Sequence, residues 1–246
     1  MLTDCVSVTI DGFPEYLHKL ALTERPTIPS PKRQYDETQV KGRLGSLVQE
    51  YAYDDVTFTL EFNYLEEVLE YQAFKEKFYI IRNWLYQGKE LQFSDEPNIK
   101  YIIQTLEIDE AENDIQEYGK FSVKITVKPF GRVVEDTPIT VDNPTTFQLL
   151  NNAFVESYPL VMITPSDTTA RFILNNHVFA FEDLTVGETV QIDSDLMICY
   201  VEQSDGDILD YSNRMLTMEY PVLNSEVNTF TCENISKIEI YRNALR

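Results

Sequence analysis

Apolar positions along this chain follow two different rhythms. Val56, Phe58, Leu60 and Phe62 alternate with polar neighbours, and so do Phe121, Val123, Ile125 and Val127. A period of two puts successive side chains on opposite faces of a strand, so both runs predict half-buried β-strands. "CVSVTI" (5–10) alternates in the same way and stops at Asp11-Gly12, a turn pair. "ELQF" (90–93) and "KYIIQTLEID" (100–109) predict two further strands, with the polar "IDEAENDIQEYG" (108–119) as a hairpin tip.

Between these strands the rhythm changes. Tyr71, Phe74, Phe78, Ile81 and Leu85 recur at spacings of three and four, which predicts one long helix from about Tyr64 to Gln87 with its apolar stripe against a sheet. Asn63 and Glu66 fit its N-terminal cap, and Gly88 fits the left-handed position after its end. Upstream, "ERPTIPSPKR" (24–33) holds Pro26, Pro29 and Pro31 within six positions. This spacing excludes helix and favours an extended arm lying on a surface, a neighbour's included.

Beyond residue 132 the helical rhythm is lost. "YPLVMIT", "ARFILNN", "HVFAFEDL", "ETVQIDSD", "LMICYVE", "RMLTMEYPVL", "VNTFTCE" and "SKIEIYR" are short apolar or alternating runs separated by turn residues, the pattern of a β-sandwich. The chain therefore reads as mainly β, with an α+β domain over 1–132 (a β-sandwich with one long helix) and a second β-sandwich over 133–246.

Composition narrows the function. A 43% hydrophobic content with 12% aromatic residues supports packed cores. Twenty Lys and Arg against 41 Asp and Glu give a net charge of −21, with 14 cations against 23 acids in residues 1–130 and 6 against 18 beyond. Nucleic-acid binding draws most of its affinity from cations on phosphates, so it is excluded as the main activity. Cys5, Cys199 and Cys232 form neither a CxxC pair nor a disulfide framework. Without a signal sequence or a long apolar run, the reading is a protein made in the cytosol, with no membrane insertion.

Candidate chemistry is sparse. His18 and His177 are the only histidines, and neither stands beside a nucleophile motif, so no catalytic residue is nominated. His177 follows Asn175-Asn176, where a hairpin turn is expected. The carboxylates of "DSD" (193–195) and "DGDILD" (205–210) offer calcium-type oxygens but lack the EF-hand spacing, and solvated turns explain them; no metal or cofactor is expected. "KGRLGS" (41–46) sets Lys41 and Arg43 beside Gly42 and Gly45. A phosphate loop would need a longer glycine-rich run between a strand and a helix. The glycines instead predict positive φ at a strand corner, leaving Arg43 free to pair with a carboxylate.

The order of these features resembles a known family. A proline-containing arm, "VKGRLGSL", "YAYDDVTFTLEF", a helix ending in "WLYQGKELQFSDEP", and "FSVKITVKPF" resemble the N-terminal domain of distal tail (Dit) proteins of siphophages of Gram-positive bacteria. "SYPLVMIT", "RFILNN", "VQIDSDLMICY" and "EYPVLNSEVNTF" resemble that family's galectin-like sandwich, in which a Pro-x-Leu turn precedes an Asn. Leu44 stands where the family often has an acid, and the glycine often found before Asn228 is missing.

The resemblance implies a virion structural protein without enzymatic activity, at the tail tip. It implies a homo-hexameric ring with residues 1–132 as the tube-adaptor domain and 133–246 projecting outward. The implied partners are the major tail protein of the tube, the tail-associated hub or lysin protein and, in many phages, the receptor-binding proteins. DNA would pass the channel without adhering. Pro26, Pro29, Pro31, Gly42, Arg43 and Gly45 are the assembly candidates. A carbohydrate-binding module acting in cell-wall recognition is the alternative; a cell-wall hydrolase ranks third.

Overall fold

The computed structural model describes residues 6–65, 71–108, 120–134 and 137–246. The expectations for Cys5 and Glu66, for the side chains of Tyr71 and Phe74, and for the 109–119 tip lie outside the described residues. The chain divides into two compact units, Met1–Arg132 and Val133–Arg246.

The first unit contains β1 (Val8–Ile10), β2 (Phe13–Pro14), β3 (Leu20–Leu22), β4 (Arg33–Gln39), β5 (Ser46–Tyr53), β6 (Val56–Tyr64), α1 (Tyr71–Gln87), β7 (Glu90–Phe93), β8 (Ile99–Ile108) and β9 (Lys120–Val127); β10 (Arg132–Val133) stands at its end. Seven of these strands join in the order β2-β1-β7-β8-β9-β6-β3. Two strands separate β6 from β7 in that order, yet the Phe58 and Phe93 rings lie 6.3 Å apart. In a flat sheet three strand spacings would hold them about 14 Å apart, so this sheet curls until its two halves face each other. A register shift in β8 between Ile103 and Thr105 supplies part of the bend.

The alternating rows of β6 and β9 fill the concave side with Phe58, Leu60, Phe62, Phe121, Val123 and Ile125. Phe78, Ile81 and Leu85 of α1 close it, with Phe78 edge-on to Phe121 at 6.0 Å. Each such side chain removed from water contributes about 1.5–3 kcal/mol. The expected cap at Asn63 is overturned: Asn63 and Tyr64 pair with Ala21 and Leu20 as the end of β6. The polar residue that would cap a helix is held in a sheet because Phe62 beside it anchors the strand in the core.

Gly88 is a second correction. Its φ is not positive, so the left-handed cap is absent. The glycine is required by space: a Cβ there would collide with Ile10 Cγ2 and sit 3.1 Å from the Leu85 carbonyl oxygen. The approach is fixed from the other side by Asp11, whose carboxylate accepts from the backbone N–H of Lys89 (3.0 Å) and Glu90 (2.8 Å). Gly88→Ala is expected to cost about 1–3 kcal/mol by overpacking, read as a lower urea midpoint by the fluorescence of Trp84. An unchanged midpoint would show that Ile10 yields freely.

The second unit contains β11 (Ile139–Asp142), β12 (Thr146–Leu150), β13 (Leu160–Pro165), β14 (Ala170–Leu174), β15 (His177–Phe181), β16 (Val190–Asp193), β17 (Ile198–Glu202), β18 (Ile208–Asp210), β19 (Val227–Glu233) and β20 (Ile235–Tyr241). They form a six-stranded sheet, β11-β20-β13-β16-β17-β18, and a four-stranded sheet, β12-β19-β14-β15. Both contribute to one core, the first through Val161, Ile192 and Ile240, the second through Phe172, Phe181 and Phe230. The rings of Phe147, Phe230, Phe172 and Phe179 follow one another at centroid distances of 5.0, 6.2 and 5.0 Å. Asn175 and Asn176, at φ 49° and 75°, make the two-residue turn between β14 and β15.

"RMLTMEYPVL" is not a strand. Single bridges hold its ends, Phe181 with Met215 and Ser157 with Leu223, and the residues between form an irregular strap. Pro221 lacks the N–H a ladder needs, and Leu216 and Met218 face solvent, which removes the buried face that would set a register.

Cys199 and Cys232 are buried free thiols. Burial pushes them up to about 12 and about 11 respectively, with Asp210 adding to the shift at Cys199. A thiol held protonated in the fold stabilises it fully below the ordinary thiol pKa, and that contribution is lost as pH rises through the folded value. Iodoacetamide at pH 8 is therefore expected to spare both residues in the native protein and modify both in urea. Modification of either at the native rate of a free thiol would contradict this burial.

Candidate functional site

Strands β4 and β5 pair only with each other, from Arg33 opposite Tyr53 to Gln39 opposite Ser46. Seven residues of strand make an arm about 23 Å long. None of its side chains belongs to the core of the first unit. Leu47 projects from one face and Tyr35 and Val48 from the other, with Tyr51 at a register shift between them; Tyr51 is 60%, Val48 56% and Tyr35 54% exposed. An isolated two-stranded hairpin is at best marginal in water, and apolar side chains on both faces add nothing to it until something covers them.

The root of the arm is firmly fixed. Arg25 lies over the Phe93 ring at 3.5 Å, donating from Nε to Asp95 (3.0 Å) and from Nη2 to Glu96 (2.6 Å). Tyr101 donates its hydroxyl to the same Glu96 carboxylate at 3.0 Å. Ile28 packs against the core cluster of this unit. Farther along, Asp54 N–H donates to the Lys32 carbonyl at 2.8 Å, Gln34 hydrogen-bonds Asp54, and Tyr53 meets Phe130 edge-on at 4.9 Å. Arg33 bridges to both oxygens of Glu50 at 2.9 and 3.0 Å.

The sequence candidates fall at the two ends of this device. Pro26, Pro29 and Pro31 lie in the extended 25–32 segment that leads into the arm. The segment is not an undocked strap, because Arg25 and Ile28 tie it to its own unit. Sequence reasoning missed Arg25, for which the only signal was its place directly before Pro26. Arg25→Ala is expected to cost about 1–3 kcal/mol, through the lost cation-ring contact and two carboxylates left facing each other. Thermal unfolding of the variant measures this, and a change below about 0.3 kcal/mol would reduce Arg25 to a surface cation.

Gly42 and Gly45 form the tip of the arm, at φ 90° and 84°. Both are exposed, and open space surrounds the position of a Cβ at each. Their glycine is thus a matter of backbone conformation alone. Arg43 N–H donates to the Val40 carbonyl at 3.1 Å, while its side chain extends into solvent without an ion pair among the described residues. Leu44 beside it is fully exposed. The tip therefore offers two cations, Lys41 and Arg43, and the apolar Leu44 outward.

The residues weighed for catalysis or metals are used otherwise. His18 stacks on Trp84 at 4.5 Å, and burial lowers its pKa. His177 Nδ1 lies 3.8 Å from Glu219. Asp193 accepts from the N–H groups of Asp195 and Leu196 at 3.0 Å each, and Asp205 accepts from Asp207 N–H at 3.1 Å. Among the described residues no group of three His, Cys, Asp or Glu is placed to hold a metal ion.

Residues 14–127 match the family model of the phage tail protein RIFT-related domain. No curated protein matches the chain in sequence. Among solved structures, the Dit protein of phage SPP1 is similar with a TM-score of 0.68 and 11% identity, over 96% of this chain and 98% of that one. A chain of the phage P2 baseplate in its activated conformation with calcium is similar with a TM-score of 0.53 and 13% identity, over 96% of each chain. The same baseplate with strontium gives a TM-score of 0.50 at 14% identity, again over 96% of each. Residues 14–127 are thus similar to the phage tail protein RIFT-related domain, and the chain has, over nearly its whole length, the fold of the SPP1 distal tail (Dit) protein.

Proposed function

We propose that this chain is a structural subunit of a siphophage tail tip, forming a hexameric ring that joins the tail tube to the tail-associated hub protein and the receptor-binding apparatus. The observation that carries the proposal is the arm: 21 residues, from Arg33 to Tyr53, on which the apolar side chains of Tyr35, Leu47, Val48 and Tyr51 stand exposed. Phe13, Tyr16, Leu17, Tyr79 and Ile80 add exposed apolar surface to the same unit. Such surface marks a subunit contact.

The SPP1 protein of this fold is described as a hub adsorption apparatus of phages infecting Gram-positive bacteria. In the same arrangement residues 1–132 would line the channel, residues 133–246 would project outward, and the virion tail tip would be the place of action. The role is mechanical and assigns no reaction. An acidic channel wall would offer passing DNA no cations with which to release counterions, so DNA would slide without adhering.

Light scattering and negative-stain microscopy, with and without the tube protein of the same phage, test the proposal. Six chains of 28.6 kDa give a particle of about 172 kDa with six-fold symmetry. A monomer under both conditions would refute it. Six chains at −21 each carry about −126, so salt is expected to tighten the ring between 0.01 and 0.1 M, where the Debye length falls from about 30 to about 10 Å. Sedimentation across that range reads the effect; dissociation with rising salt would show that ion pairs, not repulsion, dominate the contacts.

A further inference from the structure

In the second unit the irregular strap from Leu216 to Val222 spans the ends of three other segments: the β14–β15 hairpin, the β16–β17 turn, and residues 156–158. A cavity of about 490 Å³ opens between them. Leu174, Phe179 and Ser194 form its buried floor, and Tyr158 and Tyr220 its walls. The Ser194 hydroxyl is buried there without a hydrogen-bond partner.

The mouth is unusual in two respects. Met218 is 99% exposed and Met197 66%, so two pliable apolar side chains stand in water at the entrance. Methionines so placed suit a surface that moulds itself around an incoming group. Glu156 and Glu219 complete the mouth, and no lysine or arginine lines the cavity. Among the described residues Glu156 has no ion pair, and Glu219 pairs only with His177, at 3.8 Å.

We propose that this cavity receives a lysine or arginine side chain presented by a segment of a partner protein. The aliphatic stem of such a residue would lie along Leu174, Phe179 and the methionines, as long cationic side chains lie along apolar surface generally. Its cation would meet the Glu156 and Glu219 carboxylates and the faces of Tyr158 and Tyr220. The site selects by charge: it holds two carboxylates and no lysine or arginine, in a unit with 5 lysines and arginines against 18 acids, so an acidic or neutral segment gains nothing here. A saccharide would need an array of paired hydroxyl partners that this mainly apolar floor does not supply. The proposal does not depend on the hexameric ring.

The test uses the full chain labelled with ¹³C at the methionine methyls, with Met197 and Met218 assigned through Met197→Leu and Met218→Leu. The probes are N-acetyl-lysine N-methylamide, its arginine counterpart, the norleucine counterpart with the same four-carbon stem and no charge, and chitotriose. The cationic probes are expected to shift both methyls saturably at millimolar concentration while Met162 stays in place. Each exposed carboxylate contributes about two- to fivefold, so norleucine binds at least fourfold more weakly, and the paired variant Glu156→Gln, Glu219→Gln loses at least as much for lysine. Equal binding of norleucine, full affinity in the paired variant, or no saturable shift with lysine or arginine would each overturn the proposal. A saturable chitotriose shift would replace it with a saccharide site.

Discussion

Replacing residues 34–52 with a short Gly-Ser turn is expected to abolish the ring while leaving both units folded. The arm supplies no side chain to either core cluster, so its removal subtracts little from monomer stability. Arg25, Ile28, Tyr53 and Asp54 remain to seal the root. The assembled state, in contrast, loses every contact made by Tyr35, Leu47, Val48 and Tyr51. A well-buried apolar or aromatic anchor contributes about 1.5–3 kcal/mol, so four of them set a dissociation constant many orders of magnitude apart from the armless chain. Sedimentation of both proteins at equal concentration, beside their thermal unfolding curves, separates assembly from folding. An armless chain that still forms the ring would move the subunit contact elsewhere; one that fails to fold would make the arm part of its own unit after all. Single serine substitutions at Tyr51 and Val48 should weaken assembly in the same direction by smaller steps, with unfolding midpoints unchanged.

What the sequence disclosed depended on whether a residue has a core to face. Phe58, Leu60 and Phe62, and Val123 and Ile125, each bury one row against the same interior, and the period of two in β6 and β9 is the trace of that burial. Asp11-Gly12 and Asn175-Asn176 are turns because their left-handed φ values demand such residues. The arm left a trace only at its tip: "RQYDETQ" and "SLVQEYAY" face water on both sides, so no alternation marks them as strands. The strap at 216–222 misleads in the opposite sense, because its apolar residues line a cavity mouth instead of a sheet. Gly88 shows a third limit, for the atom that forbids a side chain there belongs to Ile10, 78 positions earlier, and no local pattern contains it. At the candidate site the glycines of "KGRLGS" were legible from backbone chemistry alone. The partner of Arg43 was not, since no carboxylate of its own chain takes it among the described residues.

Asn228→Asp is expected to be among the most damaging isosteric changes in the second unit. Asn228 is fully buried, and its amide uses all its hydrogen-bonding capacity in one place. Oδ1 accepts from Asn175 Nδ2 at 2.6 Å and from Asn224 N–H at 2.8 Å, while Nδ2 donates to the carbonyls of Asn224 and Glu226 at 3.1 and 3.0 Å. Asn175 in turn accepts from Thr229 N–H at 2.9 Å. One side chain thus closes the 224–227 loop on itself and ties it to the β14–β15 turn, which accounts for an Asn standing after the Pro-x-Leu segment. A carboxylate of the same shape keeps the two acceptor contacts, loses both donors, and points an anionic oxygen at two carbonyl oxygens in a buried site. Losing two buried hydrogen bonds and burying a charge without a partner costs about 3–5 kcal/mol, or roughly 10–20 °C for a unit of this size. The sign with pH follows. The introduced carboxyl has a folded pKa raised above its ordinary value of about 3.9, so the variant is least impaired below that value, where protonation restores a donor, and its deficit grows as pH rises toward the raised value. Trp84, the chain's one tryptophan, lies in the first unit and serves as an internal reference. Calorimetry at pH 4 and pH 7, set beside Trp84 fluorescence, reads both effects. A variant within about 0.5 kcal/mol of the parent at pH 7, or one more impaired at pH 4 than at pH 7, would show that this amide is not what holds the loop.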